Sequence, residues 1–196
     1  MRIVAGKFGG MRLAAPKSNN IRPTSDRVRE SLFNILRHGL DQPFEGMRVL
    51  DLFAGTGALG LEALSRGADL AVFVDTEIEA RALIRQNVDH TSSGGVSKIF
   101  RRDATRLGPI GTISPFDLCF LDPPYGKGLG EKALASARDG GWLKDRAVCI
   151  LEEDAKAEIE LPSGFHLGDT RQIGDTAILI LEHQAAAAWS GMPSIW

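Results

Sequence analysis

The residues best suited to chemistry form the run Asp122-Pro123-Pro124-Tyr125, which follows the apolar stretch FDLCFL. Two consecutive prolines cannot continue a strand ladder, and they fix the backbone in an extended turn. The Asp122 carboxylate and the Pro123 carbonyl can then each accept a hydrogen bond from an exocyclic amine of a nucleobase, while the Tyr125 ring offers a stacking plane. We therefore predict that Asp122, Pro123, Pro124 and Tyr125 are catalytic and aim the amine lone pair at an electrophilic methyl group.

A glycine-rich loop in DLFAGTGALG is the second candidate site. Gly55, Gly57 and Gly60 satisfy G-x-G-x-x-G, so a nicotinamide or flavin dinucleotide has to be considered. Asp51, four positions before the first glycine, would repel the pyrophosphate of a dinucleotide. The same carboxylate could hold the cationic amino group of S-adenosylmethionine, directly or through water. This placement favours S-adenosylmethionine as the cofactor.

Two more aspartates close the next two predicted strands. Asp75 is placed to accept both ribose hydroxyls, and Asp103 to meet the adenine amine. Because the carboxyl ends of parallel strands meet at one edge of a sheet, the three acids form a row where open α/β folds bind ligands. The predicted cofactor-binding residues are Asp51, Phe53, Ala54, Gly55, Gly57, Asp75, Thr76, Asp103, Ala104 and Asp122.

Positive charge is concentrated at the start of the chain. Residues 1–40 hold eight basic and two acidic side chains, a balance of +6 in a chain whose formal net charge is −2. Such an asymmetry suggests a basic arm for a polyanion, although a solvated basic face would give the same pattern. The residues predicted to bind RNA are Arg2, Lys7, Arg12, Arg22, Arg27 and Arg29.

The elements that must position these residues alternate between strand and helix from Met47 onward, which predicts a parallel sheet with helices on both faces. A Gly-Gly turn predicts a short N-terminal hairpin, and a helix should follow over residues 26–37. Further helices are expected at 58–66, 77–89 and 129–138. The seven predicted strands are RVLDLF, DLAVFVD, SKIFRRD, FDLCFLD, AVCILE, FHLGDTRQ and TAILILEH, of which the last two should be antiparallel.

Length and composition limit the class of protein. At 196 residues with 43% hydrophobic residues, the chain suits one catalytic domain. No apolar run is long enough to span a membrane and no secretory signal is evident, so we expect a cytoplasmic protein. Cys119 and Cys149 lie in apolar runs and should be buried thiols, and the four histidines lack metal-ligand spacing.

With these residues assembled, the chain resembles the RsmD family of 16S ribosomal RNA guanine-N2 methyltransferases. Four stretches carry the resemblance: RIVAGKFGGMRL at the N-terminus, RPTSDRVRESLFNIL, VLDLFAGTGALGLEALSRGA and LDPPYGKGL. The second stretch is the most specific to the family. The glycine loop and the DPPY run alone would indicate only an amino-methyltransferase.

The resemblance implies a class I, Rossmann-like methyltransferase fold with a mostly parallel seven-stranded sheet and a terminal antiparallel strand. It implies S-adenosylmethionine as cofactor, catalysis at residues 122–125, and 16S rRNA or the small ribosomal subunit as partner. We expect an RNA-facing extension over residues 1–40, a methyltransferase domain over 41–183 and a tail over 184–196. We also expect a monomer that uses no metal and no membrane.

Three other functions fit parts of the same pattern. An adenine-N6 methyltransferase acting on DNA or RNA would use DPPY equally well, but no separate target-recognition domain is evident in this length. A small-molecule methyltransferase would have little need of the basic arm. An RNA-binding assembly factor without catalysis would have little need of an intact glycine loop and DPPY.

Overall fold

A computed structural model describes residues 1–16, 26–39 and 44–185. The helices and strands are α1 (Asp26–Gly39), β1 (Arg48–Leu52), α2 (Ala58–Ser65), β2 (Leu70–Val74), α3 (Ile78–His90), β3 (Ser97–Phe100), β4 (Phe116–Leu121), α4 (Leu129–Asp139), β5 (Leu143–Asp154), β6 (Phe165–Ile173) and β7 (Thr176–His183). Short 3-10 turns occupy Gly94–Val96 and Ala104–Arg106. The predicted alternation of strand and helix is confirmed.

The seven strands form one sheet in the order β3-β2-β1-β4-β5-β7-β6, in which β7 runs antiparallel to both of its neighbours. This confirms the mostly parallel sheet and the antiparallel pairing of the last two strands. Leu52 of β1 is in register with Val74 of β2 and with Leu121 of β4, and Val74 is in register with Phe100 of β3. The loops that follow these four strands therefore leave from one edge, which we call the carboxyl edge.

Apolar side chains cover both faces of the sheet, as expected for parallel strands that are buried on both sides. One face packs against α1, α2 and α3, and the other packs against α4 and the segment that precedes β4. Trp142 is fully buried on the second face, stacked 6.1 Å from the ring of Phe116. Cys119 and Cys149 are neighbours in register on β4 and β5, and both are buried free thiols, as predicted.

The N-terminal segment, residues 1–16, forms a hairpin with a single antiparallel bridge, between Arg2 and Arg12, instead of two regular strands. A longer ladder does not form because other groups take the backbone donors. The N–H groups of Val4 and Ala5 donate to the buried carboxylate of Glu62 on α2, over 2.7 and 3.0 Å. The segment is therefore held on α2.

The N-terminal segment and α1 share the hydrophobic core of the first sheet face. Ile3 and Leu13 are buried in it, and the ring of Phe33 on α1 lies 5.6 Å from that of Phe120 on β4. The tail predicted to begin at Gln184 lies outside the described residues beyond Ala185. No helix within the described ranges is both long enough and apolar enough to cross a membrane.

Candidate active site

The glycine loop between β1 and α2 is tightly coiled. Phe53, Gly55 and Gly57 have positive φ angles of 56°, 55° and 76°, in a region that residues with a side chain rarely adopt. The N–H of the buried Ala54 donates to the carbonyl of Val74 over 3.1 Å, and the N–H of Gly57 donates to the carbonyl of Ala54 over 2.7 Å. These hydrogen bonds hold the loop at the carboxyl edge, beside the end of β2.

Close packing explains the third glycine of the loop. A Cβ at Gly60 would lie 2.4 Å from a ring carbon of Phe73 and 3.1 Å from Oδ2 of Asp51. Gly60 therefore lets the first turn of α2 approach β1 and β2. A side chain at this position would push the helix start away from the sheet.

Asp51 lies beneath the glycine loop, inside β1, with 1% of its surface exposed. Its Oδ2 accepts a hydrogen bond from the N–H of Gly60 over 2.9 Å. Burial raises the pKa of Asp51 to about 8, the Gly60 N–H opposes the rise, and the Asp75 carboxylate adds to it. The carboxyl group thus fixes the start of α2.

Asp75 directly follows β2 and is partly exposed. Its Oδ2 accepts from the N–H of Gly55, and its Oδ1 accepts from the N–H of Glu77, each over 2.9 Å. Each oxygen keeps a second lone pair that can accept a ligand hydroxyl. Thr76 is exposed, and its carbonyl accepts from the buried guanidinium of Arg81 over 2.6 Å. Sequence reasoning missed Arg81, although a charged residue between the apolar helix positions 80 and 84 could have indicated a buried arginine.

Asp103 lies three residues beyond the end of β3, so the prediction that it closes this strand was wrong. The strand stops at Phe100, and Asp103 instead caps the next 3-10 turn by accepting from the N–H and the hydroxyl of Thr105, over 2.9 and 2.7 Å. These hydrogen bonds hold the pKa of Asp103 below its ordinary value. Ala104, the next residue, is buried. Ile78, at the start of α3, is by contrast 77% exposed.

The run from Asp122 to Tyr125 follows β4 at the same edge. Asp122 and Tyr125 are partly buried, Pro123 is buried and Pro124 is exposed. The Tyr125 hydroxyl donates to Oε1 of Glu152, at the end of β5, over 2.6 Å. Burial, reinforced by this hydrogen bond, raises the pKa of Tyr125 well above its ordinary value, so the phenol stays protonated.

A second buried acid holds the next peptide of this loop. Oε1 of Glu153 accepts from the N–H of Gly126 over 2.9 Å, and Glu153 is 3% exposed. Two adjacent acids at the end of β5 therefore fix the loop after β4. Sequence reasoning missed Glu152 and Glu153, although acids after an apolar strand were the signal that pointed to Asp75.

The structure describes five of the six predicted RNA-binding residues, and these differ in exposure. Those exposed to solvent are Arg2, Lys7, Arg12 and Arg27. Arg29 is fully buried, and its Nη2 donates to Oδ1 of Asp26 over 2.7 Å and to the carbonyl of Arg2. Arg29 therefore links α1 to the N-terminal segment, and unlike the four exposed residues it does not contribute to the basic surface. Arg22 lies outside the described residues.

Metal ligands are not grouped in the described part of the chain. Within residues 1–16, 26–39 and 44–185, no cluster of three or more His, Cys, Asp or Glu side chains could hold a metal ion.

Known proteins share the sequence pattern and the fold of this chain. The sequence pattern of the family described as conserved hypothetical protein 95 matches residues 1–182. The chain belongs to this family. Ribosomal RNA small subunit methyltransferase D of Escherichia coli (strain K12) is 33% identical over 186 residues, which cover 94% of this chain and 91% of that protein. The putative rRNA methyltransferase YlbH of Bacillus subtilis (strain 168) is 35% identical over 164 residues, or 83% of this chain and 86% of that protein.

Solved structures agree with the family assignment. The structure of the putative methyltransferase yhhF from Escherichia coli superposes with a TM-score of 0.80 at 31% identity, covering 95% of this chain and 99% of that chain. The putative methylase HI0767 from Haemophilus influenzae gives 0.75 at 27% identity, covering 93% and 98%. The resemblance predicted from the sequence and the class I methyltransferase fold are both confirmed.

Proposed function

We propose that the chain transfers a methyl group from S-adenosylmethionine to the exocyclic N2 amine of a guanine in 16S rRNA of the small ribosomal subunit. One observation carries the proposal: the glycine loop, Asp75 and the Asp122–Tyr125 run lie together at the carboxyl edge, and acidic side chains at the ends of the strands hold both loops by hydrogen bonds. A relative named as a ribosomal RNA small subunit methyltransferase and another named as a putative rRNA methyltransferase support rRNA as the substrate.

The residues at the carboxyl edge fit the cofactor. Asp75 has accepting capacity for the two ribose hydroxyls, and the exposed Asp103 can accept from the adenine amine. Ile78, three residues after Asp75, has an exposed apolar surface that can cover one face of the adenine. The buried Asp51 holds the start of α2 behind the glycine loop. The proposed cofactor set is completed by Phe53, Ala54, Gly55, Gly57, Thr76, Ala104 and Asp122. When bound, S-adenosylmethionine supplies an electrophilic methyl group.

The loop after β4 positions the acceptor amine. The Asp122 carboxylate and the Pro123 carbonyl each accept one N–H of the amine, which draws the nitrogen toward tetrahedral geometry and exposes its lone pair. Tyr125 presents its ring for stacking, with the ring orientation fixed by Glu152. A base within a helix must first be flipped out, at a cost of a few kcal/mol.

The RNA backbone meets the exposed basic residues of the N-terminal segment and α1. Arg2 and Arg12 face each other across the antiparallel bridge, and Nε of Arg2 also lies 3.7 Å from Oδ2 of Asp26. A phosphate group can bind between the two arginines, and Lys7 and Arg27 extend the positive surface. In this proposal residues 1–40 form the RNA-facing extension, and the enzyme acts as a cytoplasmic monomer without a metal.

The test is transfer of a labelled methyl group to small ribosomal subunits and to RNA from cells that lack this enzyme, followed by nucleoside analysis. N2-methylguanosine is the expected product. Asp122→Ala should abolish transfer, while Asp139→Ala, at the far end of α4 in an exposed ion pair with Arg138, should not. N6-methyladenosine would mean that the target base is adenine and not guanine. Absence of any labelled nucleoside despite cofactor binding would overturn the proposal.

A further inference from the structure

Asn87 joins the glycine loop directly to the N-terminal segment. The residue lies on α3 with 1% of its surface exposed. Its Nδ2 donates to the carbonyl of Thr56 over 2.9 Å, and its Oδ1 accepts from the N–H of Ala14 over 2.7 Å. Thr56 lies between Gly55 and Gly57. A single buried amide therefore binds a peptide of the proposed cofactor loop and a peptide of the proposed RNA-binding segment.

A buried amide with two hydrogen-bond partners fixes the position of one partner relative to the other. A buried donor or acceptor that loses its partner carries an unmet hydrogen bond, so Thr56 and Ala14 are held in fixed relation to each other. The start of the segment reinforces this contact, because Sδ of Met1 lies 3.7 Å from Oγ1 of Thr56. Ala14 is two residues from Arg12, so an RNA contact at Arg12 acts on nearly the same stretch of backbone.

We propose that Asn87 is a positioning residue that couples RNA binding at the N-terminal segment to cofactor binding at the glycine loop. RNA that orders the segment also restricts Ala14, and through Asn87 it restricts Thr56 to the arrangement that receives the cofactor. Because coupling between two binding sites is reciprocal, bound cofactor strengthens RNA binding by the same factor. This inference rests on the proposed function and adds a regulatory link to it.

Ser65 on α2 provides a matched control. Its hydroxyl accepts from the N–H of Phe8 over 2.9 Å and donates to the carbonyl of Ala5, so it also anchors the N-terminal segment from a buried position. None of its described hydrogen bonds reaches the glycine loop. Ser65→Ala therefore loosens the segment without cutting the link that Asn87 provides.

The experiment measures the dissociation constant of labelled S-adenosylhomocysteine by equilibrium dialysis, with and without saturating small ribosomal subunits that lack the modification. In the wild-type protein, subunits should lower this constant by about fivefold or more, the range typical of coupled sites. Asn87→Asp keeps the acceptor for Ala14 but removes the donor to Thr56, so the ratio should fall below about twofold. Ser65→Ala should keep the wild-type ratio.

Two results would overturn the coupling: an equal dissociation constant with and without subunits in the wild type, or a wild-type ratio in Asn87→Asp. Co-sedimentation of the protein with the subunits, measured in parallel, separates the two failures: if the subunits do not bind, the proposed RNA substrate is wrong, and if they bind without changing the constant, the coupling is wrong. If Asn87→Asp does not fold, hydrogen exchange of the wild-type protein decides the matter. Bound subunits should slow exchange at residues 55–57 in the absence of cofactor, and unchanged exchange there would count against the coupling.

Discussion

Asp51→Asn should change how the stability of the protein depends on pH. Burial raises the pKa of this carboxyl group from 3.8 to about 8 in the folded chain. Between these values the folded chain binds more protons than the unfolded chain, so the free energy of unfolding falls as the pH rises. The loss is absent below about pH 4 and complete above about pH 8. Asparagine has a similar shape and can accept from Gly60, but it does not ionise.

The size of the effect follows from the shift in pKa. One pKa unit corresponds to about 1.4 kcal/mol, so the titration of Asp51 lowers the free energy of unfolding by about 2 kcal/mol at about pH 5.5 and by about 6 kcal/mol at about pH 8.5. Asp51→Asn should therefore raise the free energy of unfolding by about 3 to 4 kcal/mol more at the higher pH than at the lower. For a domain of this size, the corresponding difference in Tm is roughly 10 °C.

Thermal unfolding of both proteins at the two pH values measures this difference. Groups that do not interact with Asp51 titrate alike in the wild type and the variant, so their contributions cancel. Asp103→Asn is the control, because the pKa of Asp103 is lowered and the group stays ionised across this range. If Asp51→Asn changed the free energy of unfolding equally at both pH values, Asp51 would not titrate between them and the reasoning would be refuted.

Three further sets of substitutions test the packing, the loop after β4 and the basic surface. Gly60→Ala should cost about 1 to 3 kcal/mol in denaturant unfolding because its Cβ would overlap Phe73, whereas Gly95→Ala, which meets nothing within 4 Å, should stay within about 0.5 kcal/mol. Tyr125→Phe should keep KM for RNA within about threefold because the ring remains, whereas Tyr125→Ala should raise it about tenfold or more; equal KM values would remove the stacking role. Replacing Arg2 and Arg12 by Gln should lower the salt slope of RNA binding by about 1.4 to 1.8, and an unchanged slope would exclude phosphate contacts there.

The sheet could be predicted because its central strands are buried on both faces. Runs such as RVLDL and FDLCFL are almost continuously apolar, and glycine loops or prolines separate them from their neighbours. The end of β3 was less clear because Arg101 and Arg102 continue the run without a turn residue. The capping hydrogen bonds that Asp103 makes with Thr105 decide the boundary, and local propensity does not reveal them.

Contacts that are distant in sequence could not be predicted. Glu62 reads as one more charge in the helix LGLEALSR, but it is fully buried and accepts from Val4 and Ala5, 58 and 57 residues away. Arg29 reads as part of a basic surface, yet it is buried against Asp26 and the carbonyl of Arg2. The pair with Asp26 lies three residues away on the same helix, but the contact with Arg2 is 27 residues away, and only tertiary packing explains the burial of both charges.

Two acids at the carboxyl edge should respond differently to substitution. Asp75 accepts from the N–H of Gly55, so it shapes the glycine loop and also faces the proposed ribose site. In the described residues the carboxylate of Asp103 accepts hydrogen bonds from Thr105 and none from that loop. Asp75→Ala should therefore raise the dissociation constant of S-adenosylhomocysteine and also lower the Tm, whereas Asp103→Ala should raise the constant with a smaller change in Tm. Calorimetric titration and thermal unfolding measure the two quantities. Equal losses of Tm in both variants would mean that the Gly55 hydrogen bond does not stabilise the loop, and an unchanged dissociation constant in Asp75→Ala would remove Asp75 from the cofactor site.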